Sequence, residues 1–159
     1  MKQRGFVFME LIIVFAVVAI LASISVINIF GSKRKASLTG TIDPLLADIK
    51  SQQTKAMEGS IANGSAQAAF GVHFASNQYV LFNGATYNGS DSANAVVPLD
   101  SRVTFSTISL PSNTIVFASK SGEVVGYATN SSTLTVKQID SGEIQTIKLN
   151  HYGVITSAQ

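Results

Sequence analysis

Two histidines, His73 and His151, are the only imidazoles in the chain, and no cysteine accompanies them. A zinc site needs three or four donors converging on the ion, and neither histidine has clustered carboxylates near it in sequence. Both fall in or beside segments that read as strands, the usual setting of a structural or surface imidazole. Asp91 and Asp100 bracket a polar loop and suit calcium by type, but two acids fall short of the roughly six to eight oxygens that calcium takes. Nucleophilic catalysis needs a Ser or Thr beside a base and an orienting acid. Serines are abundant enough to lie near each histidine by chance, and none is marked out. No glycine loop followed by Lys-Ser or Lys-Thr is present to cradle a phosphate. Asn-x-Ser triplets at Asn63, Asn88 and Asn130 read as surface turns. The expectation is therefore of no enzyme, no cofactor and no metal site. A net charge of +2 is too small for a nucleic-acid-binding surface, and the lack of cysteine excludes a disulfide framework.

One carboxylate is placed differently. Glu10 interrupts an apolar run over residues 6–30 whose only other polar members are Ser23, Ser25 and Asn28. As a helix rising about 1.5 Å per residue this run would reach roughly 37 Å, enough for a bilayer core of about 30 Å. Charged residues make up 13% of the chain, against roughly 25% in ordinary soluble domains. Much of the apolar excess lies in the first thirty positions. An acid at the centre of a membrane helix costs about 2.5–3.5 kcal/mol, which several flanking Ile, Leu, Val and Phe residues at about −0.3 to −0.6 each can offset. Glu10 either snorkels to the interface or meets a cation. Lys2 and Arg4 precede the run and Lys33, Arg34 and Lys35 follow it. By the positive-inside rule the second cluster alone would favour the opposite orientation.

Gly5-Phe6-Val7-Phe8-Met9-Glu10 resembles the leader junction of type IV prepilins and type II secretion pseudopilins. In that family a short basic leader ends in Gly, Phe follows, and a Glu stands at the fifth mature position before an apolar helix. Val7 and Phe8 depart from the Thr and Leu commonest there, while keeping the apolar character. The resemblance implies a leader of residues 1–5, cut between Gly5 and Phe6 by a prepilin peptidase, with N-methylation of Phe6. It implies that Glu10 pairs with the N-terminal amine of a neighbouring subunit. Such a pair at about 4 Å could contribute a few kcal/mol at an effective dielectric near 20, and the helix dipole favours an acid in the first turns. The implied partners are the peptidase, other pilin or pseudopilin subunits, an inner-membrane assembly platform, and membrane lipid before assembly. The implied location is the bacterial cytoplasmic membrane, single-pass with the globular domain outside the cytoplasm, and then a filament in the periplasm or on the surface. The alternative is a secreted or anchored β-rich binding domain with an ordinary signal peptide. The small-x-small triplet Ser23-Ile24-Ser25 would then direct cleavage before Val26.

Leu38, Ile42, Leu45, Ile49 and Ala56 recur at three- and four-residue steps, with Gln52 and Gln53 in the gap, and predict an amphipathic helix over 31–59. Pro44 either kinks it or opens a second segment capped by Asp43. Gly59 is the expected stop. Residues 60–67 read as a loop. Beyond them the period becomes that of strands: a hairpin of 70–74 and 79–82, and an exposed loop over 83–95. A strand with a bulge follows over 102–110, then hairpins of 114–118 with 123–128 and of 134–139 with 144–149, and a last strand at 152–155. This order of strands and glycines is similar to the β domain of the minor pseudopilin H and the fimbrial minor pilins, which has two sheets. The expected fold class is α+β. A long N-terminal helix, membrane-spanning over 6–30 and then amphipathic, precedes an antiparallel sheet or two-sheet domain of about seven or eight short strands over 60–159.

Overall fold

The computed structural model describes residues 4–59 and 68–158, with side chains over 8–22, 37–59 and 68–156. The expected loop at 60–67, the triplet at Asn63, and the side chains of Phe6, Ser23, Ser25 and the basic cluster at 33–35 lie outside the described residues. Helical backbone runs over Arg4–Glu58 (α1), and the chain divides into two compact units, Met1–Ala36 and Ser37–Gln159.

The expected fold class needs correction in its first part. Among the described residues no helix is long and apolar enough to cross a membrane. The described helical side chains form two short stretches, 8–22 in the first unit and 37–58 in the second. A span of the roughly 30 Å hydrocarbon layer takes about 20 apolar residues in a row, and the stretch of the first unit whose side chains are described, 8–22, supplies fewer than that.

In the second unit the amphipathic pattern becomes a packed face. Leu38, Ile42, Leu45, Ile49 and Ala56 are all buried, because helical spacing puts them on one side. Pro44 lies inside the helix on its exposed side. Gly59 ends the helix with φ 67°, its N–H donating to Ala56 O. Buried Gln53 fills the gap in the apolar pattern and ties the helix to two loops. Its Nε2 donates to Gly122 O at 2.9 Å and to Tyr152 O at 2.7 Å, and its Oε1 accepts from Lys50 Nζ. Both amide protons are thus used, as a buried amide requires.

Among the described residues, eight strands form two antiparallel four-stranded sheets. The first holds β1 (Phe70–Ala75), β2 (Gln78–Asn83), β3 (Ala95–Pro98) and β5 (Thr114–Phe117), in the order β3-β2-β1-β5. The second holds β4 (Val103–Ser109), β6 (Thr133–Gln138), β7 (Ile144–Leu149) and β8 (Ile155–Ala158), in the order β4-β6-β7-β8. Alternation sets the burial. Phe70, Val72 and Phe74 of β1 and Tyr79 of β2 join Leu134, Val136, Ile147 and Leu149 in one core with the helix. Phe74 and Phe105 meet edge to face at 5.4 Å. Tyr79 Oη donates to Asp48 Oδ2 of the helix at 2.6 Å. Burial, then that hydrogen bond, then the Asp48 charge push the Tyr79 phenol well above its ordinary value.

The other face of the first sheet carries a smaller cluster. Gly71 lies opposite Phe82 in the ladder, and the Phe82 ring occupies the space where a Cβ on Gly71 would stand. Tyr87, from the loop after β2, meets Phe82 edge to face and lies flat on His73.

Two expected strands are corrected, and one strand is added. Residues 123–128 form no strand and make one isolated bridge, Phe117 to Val124; Gly126, at φ 68°, turns the chain away. The last strand begins at Ile155 rather than 152, because Asn150 to Gly153 closes as a turn with Gly153 at φ 70°. β3 begins at the end of the expected 83–95 loop, where no strand is expected; it is an exposed edge strand ending in Pro98, where the missing N–H costs the ladder little.

Candidate functional site

The residues singled out for processing and assembly lie on the first unit. Gly5 and Phe6 have helical backbone. Glu10 has an exposed side chain, and among the described residues it takes part in neither ion pair. Side chains one turn after it are Ile13 and Val14, so the helix itself offers no cation there.

Every side chain from 8 to 22 is exposed, and Glu10 is the only polar one. Large groups are open to between 49% (Leu11) and 69% (Phe8) of their full area. They point in all helical directions, so no polar face exists to meet water. A contiguous apolar surface of this kind marks a site that something else covers.

The other candidates disperse over the second unit. His73 stands in β1, stacked on Tyr87 with ring centroids 4.0 Å apart and planes 8° from parallel. Its Nδ1 lies 3.3 Å from Thr114 Oγ1, and Thr114 Oγ1 donates to Ser112 O at 2.8 Å. With that hydroxyl proton committed, His73 Nδ1–H is the donor of the pair. Burial lowers the imidazole's affinity for a proton, opposed by a hydrogen bond to the Ser112 backbone. His151 sits in the turn after β7, 3.9 Å from Glu123 and edge to face with Tyr127 and Tyr152. Asp100 is engaged by Arg102 at 3.1 and 3.2 Å, and that hydrogen bonding holds its carboxyl below the usual range. Asp91 Oδ1 accepts from Ala93 N, closing a local turn. The structure does not bring Asp91, Asp100 and the histidines together, and among the described residues no group of three or more such side chains could hold a metal. Asn88 makes the expected turn, its Oδ1 accepting from Ser90 N.

Sequence reasoning missed Tyr87 and the Ser112-Asn113 pair. Tyr87 lies in a segment read as a solvated loop, and no periodicity singles it out. Comparison with known proteins yields no match: no family model, no curated protein and no solved structure matches this chain.

Proposed function

We propose that this chain is a non-enzymatic structural subunit of a type IV pilus-like or type II secretion pseudopilus filament. In this reading it is cut after Gly5 by a prepilin peptidase, N-methylated at Phe6, and assembled through its N-terminal helix with other subunits on an inner-membrane platform. Lipid of the bacterial cytoplasmic membrane covers the helix before assembly.

The observation that carries the reading is the register of Gly5, Phe6 and Glu10 at the head of a helical stretch whose described side chains are all exposed and, Glu10 apart, all apolar. Magnitudes divide the labour between the two features. Covering the eleven large apolar groups between Phe8 and Leu21 contributes on the order of 10 kcal/mol before association entropy is subtracted. Removing Glu10 from water costs about 2.5–3.5 kcal/mol, so it does not drive assembly. Its matching with an amine freed at Phe6 of a neighbour selects one register among many that apolar packing would accept. The two-sheet β unit following the helix agrees with the likeness to minor pseudopilins.

The test is Glu10→Ala in the native host. The variant is expected to accumulate and be processed like the parent, yet to be nearly absent from sheared filaments. Incorporation at the parental level would remove the pairing step.

A further inference from the structure

We infer that the depression beside Tyr87 is a binding site for an uncharged, hydroxyl-rich ring, the chemistry of a neutral saccharide. This does not depend on the filament reading. The depression has a volume of about 460 Å³ and lies in the second unit between the 84–94 loop, the turn before β5, and β5 itself. That size falls within the roughly 300–1,000 Å³ of small-molecule sites.

Its walls define the ligand. Tyr87, Val116 and Val125 supply apolar surface, and Thr86, Ser112 and Thr114 supply hydroxyls; among the described residues no charged side chain lines it. A charged ligand would lose hydration there without gaining a partner. A ring with apolar C–H faces and hydroxyls at its edge meets both kinds of wall.

The walls are also held in place. Stacking on His73 fixes the Tyr87 ring, and the His73–Thr114–Ser112 hydrogen-bond chain fixes the hydroxyl side. At the rim two successive non-glycine residues, Ser112 (φ 52°) and Asn113 (φ 53°), sit in the left-handed region. The turn is closed by Asn113 N–H donating to Leu110 O. Glycine and asparagine are the usual residues at such positions; a serine kept there against the preference belongs to the class of strained residues concentrated at active sites, ligand clamps and switch regions.

An extended peptide fits less well. Strand addition needs a free edge, and the outer edge of β5 is already used. Val116 O accepts from Val125 N at 2.8 Å, and Ala118 N donates to Glu123 O at 2.8 Å.

The experiment is titration of the ¹⁵N-labelled full-length chain with cellotriose, chitotriose and trigalacturonate, read from amide chemical shifts. At about millimolar ligand a neutral trimer is expected to move amides of 85–87, 112–116 and 125. Trigalacturonate should bind at least about tenfold more weakly. Tyr87→Ala should abolish the response. Val125→Glu, at an exposed rim position that leaves the core untouched, should weaken it at least about tenfold without altering the rest of the spectrum. No response to either neutral trimer, shifts centred elsewhere, equal binding of the charged trimer, or undiminished binding by Val125→Glu would each overturn the assignment.

Discussion

Replacing Gly153 by alanine should destabilise the second unit far more than the same change at Gly142, although the two glycines have nearly equal backbone angles, φ 70° and 72°. A side chain in the left-handed region costs about 1–2 kcal/mol at either site. At Gly142 nothing stands within 4 Å of the new Cβ, so that conformational part is the whole effect. At Gly153 the Cβ would lie 2.6 Å from Gln53 Nε2 and 2.7 Å from Phe117 Cε1. Phe117 is fully buried and Gln53 nearly so, so neither can yield by swinging into solvent. Displacing Gln53 also breaks its bonds to Gly122 O and Tyr152 O, each costing about 1–3 kcal/mol when a buried group is left unpaired. The expectation is about 3–8 kcal/mol for Gly153→Ala against about 1–2 kcal/mol for Gly142→Ala. Urea unfolding of the full-length variants, followed by far-UV circular dichroism, measures the difference. Equal losses at the two sites would refute the account of Gln53 as the tie between helix and loops.

Other expectations concern protons. Tyr79→Phe removes a hydrogen bond to a carboxylate, worth about 1.5–3 kcal/mol. Because the folded state raises the Tyr79 phenol, the parent should lose stability as pH rises past the ordinary tyrosine value of about 10, where the unfolded chain deprotonates first. The variant should be flatter there in pH-dependent urea melts; identical alkaline limbs would contradict the assignment. His73 has the opposite sense. Its folded pKa is depressed, so stability is present above the ordinary value of about 6.5 and falls as pH drops below it, when the unfolded state takes the proton first. His73→Phe keeps an aromatic ring against Tyr87 and should shallow that limb between about pH 7 and 5; an unchanged slope would show that other groups carry it.

The parts legible in the sequence share one property: their signal is local and periodic. The 70–74 and 79–82 hairpin and the 134–139 and 144–149 hairpin each show alternation on both sides of a short turn, and both pairs form. The bulge in the fourth strand announced itself as a break in alternation, and the register shifts there between Phe105 and Thr107. The face Leu38, Ile42, Leu45, Ile49 and Ala56 needed only the helical period. Where glycine imposed a turn the reading failed, because Gly126 and Gly153 cut short runs that otherwise look like strands. β3 escaped because four residues ending in proline on an exposed edge show no alternation. The Tyr87 depression was invisible for a different reason. It is assembled from three separate segments, and its turn holds Ser112 at positive φ, a residue type that, unlike the following asparagine, gives no warning of that conformation. At the N-terminus the sequence showed composition and register, but the membrane-spanning helix expected over 6–30 is not found among the described residues, where no helix is long and apolar enough to cross a bilayer.

The register of Gly5, Phe6 and Glu10 is the point from which the functional reading hangs, and it makes a claim about covalent structure. Intact-mass and peptide mass spectrometry of the chain isolated from its native cells tests it directly. The account predicts a mature protein that begins at Phe6 and carries one methyl group on its α-amine. A chain that begins at Met1, or one that begins at Val26 after ordinary signal cleavage, would contradict it.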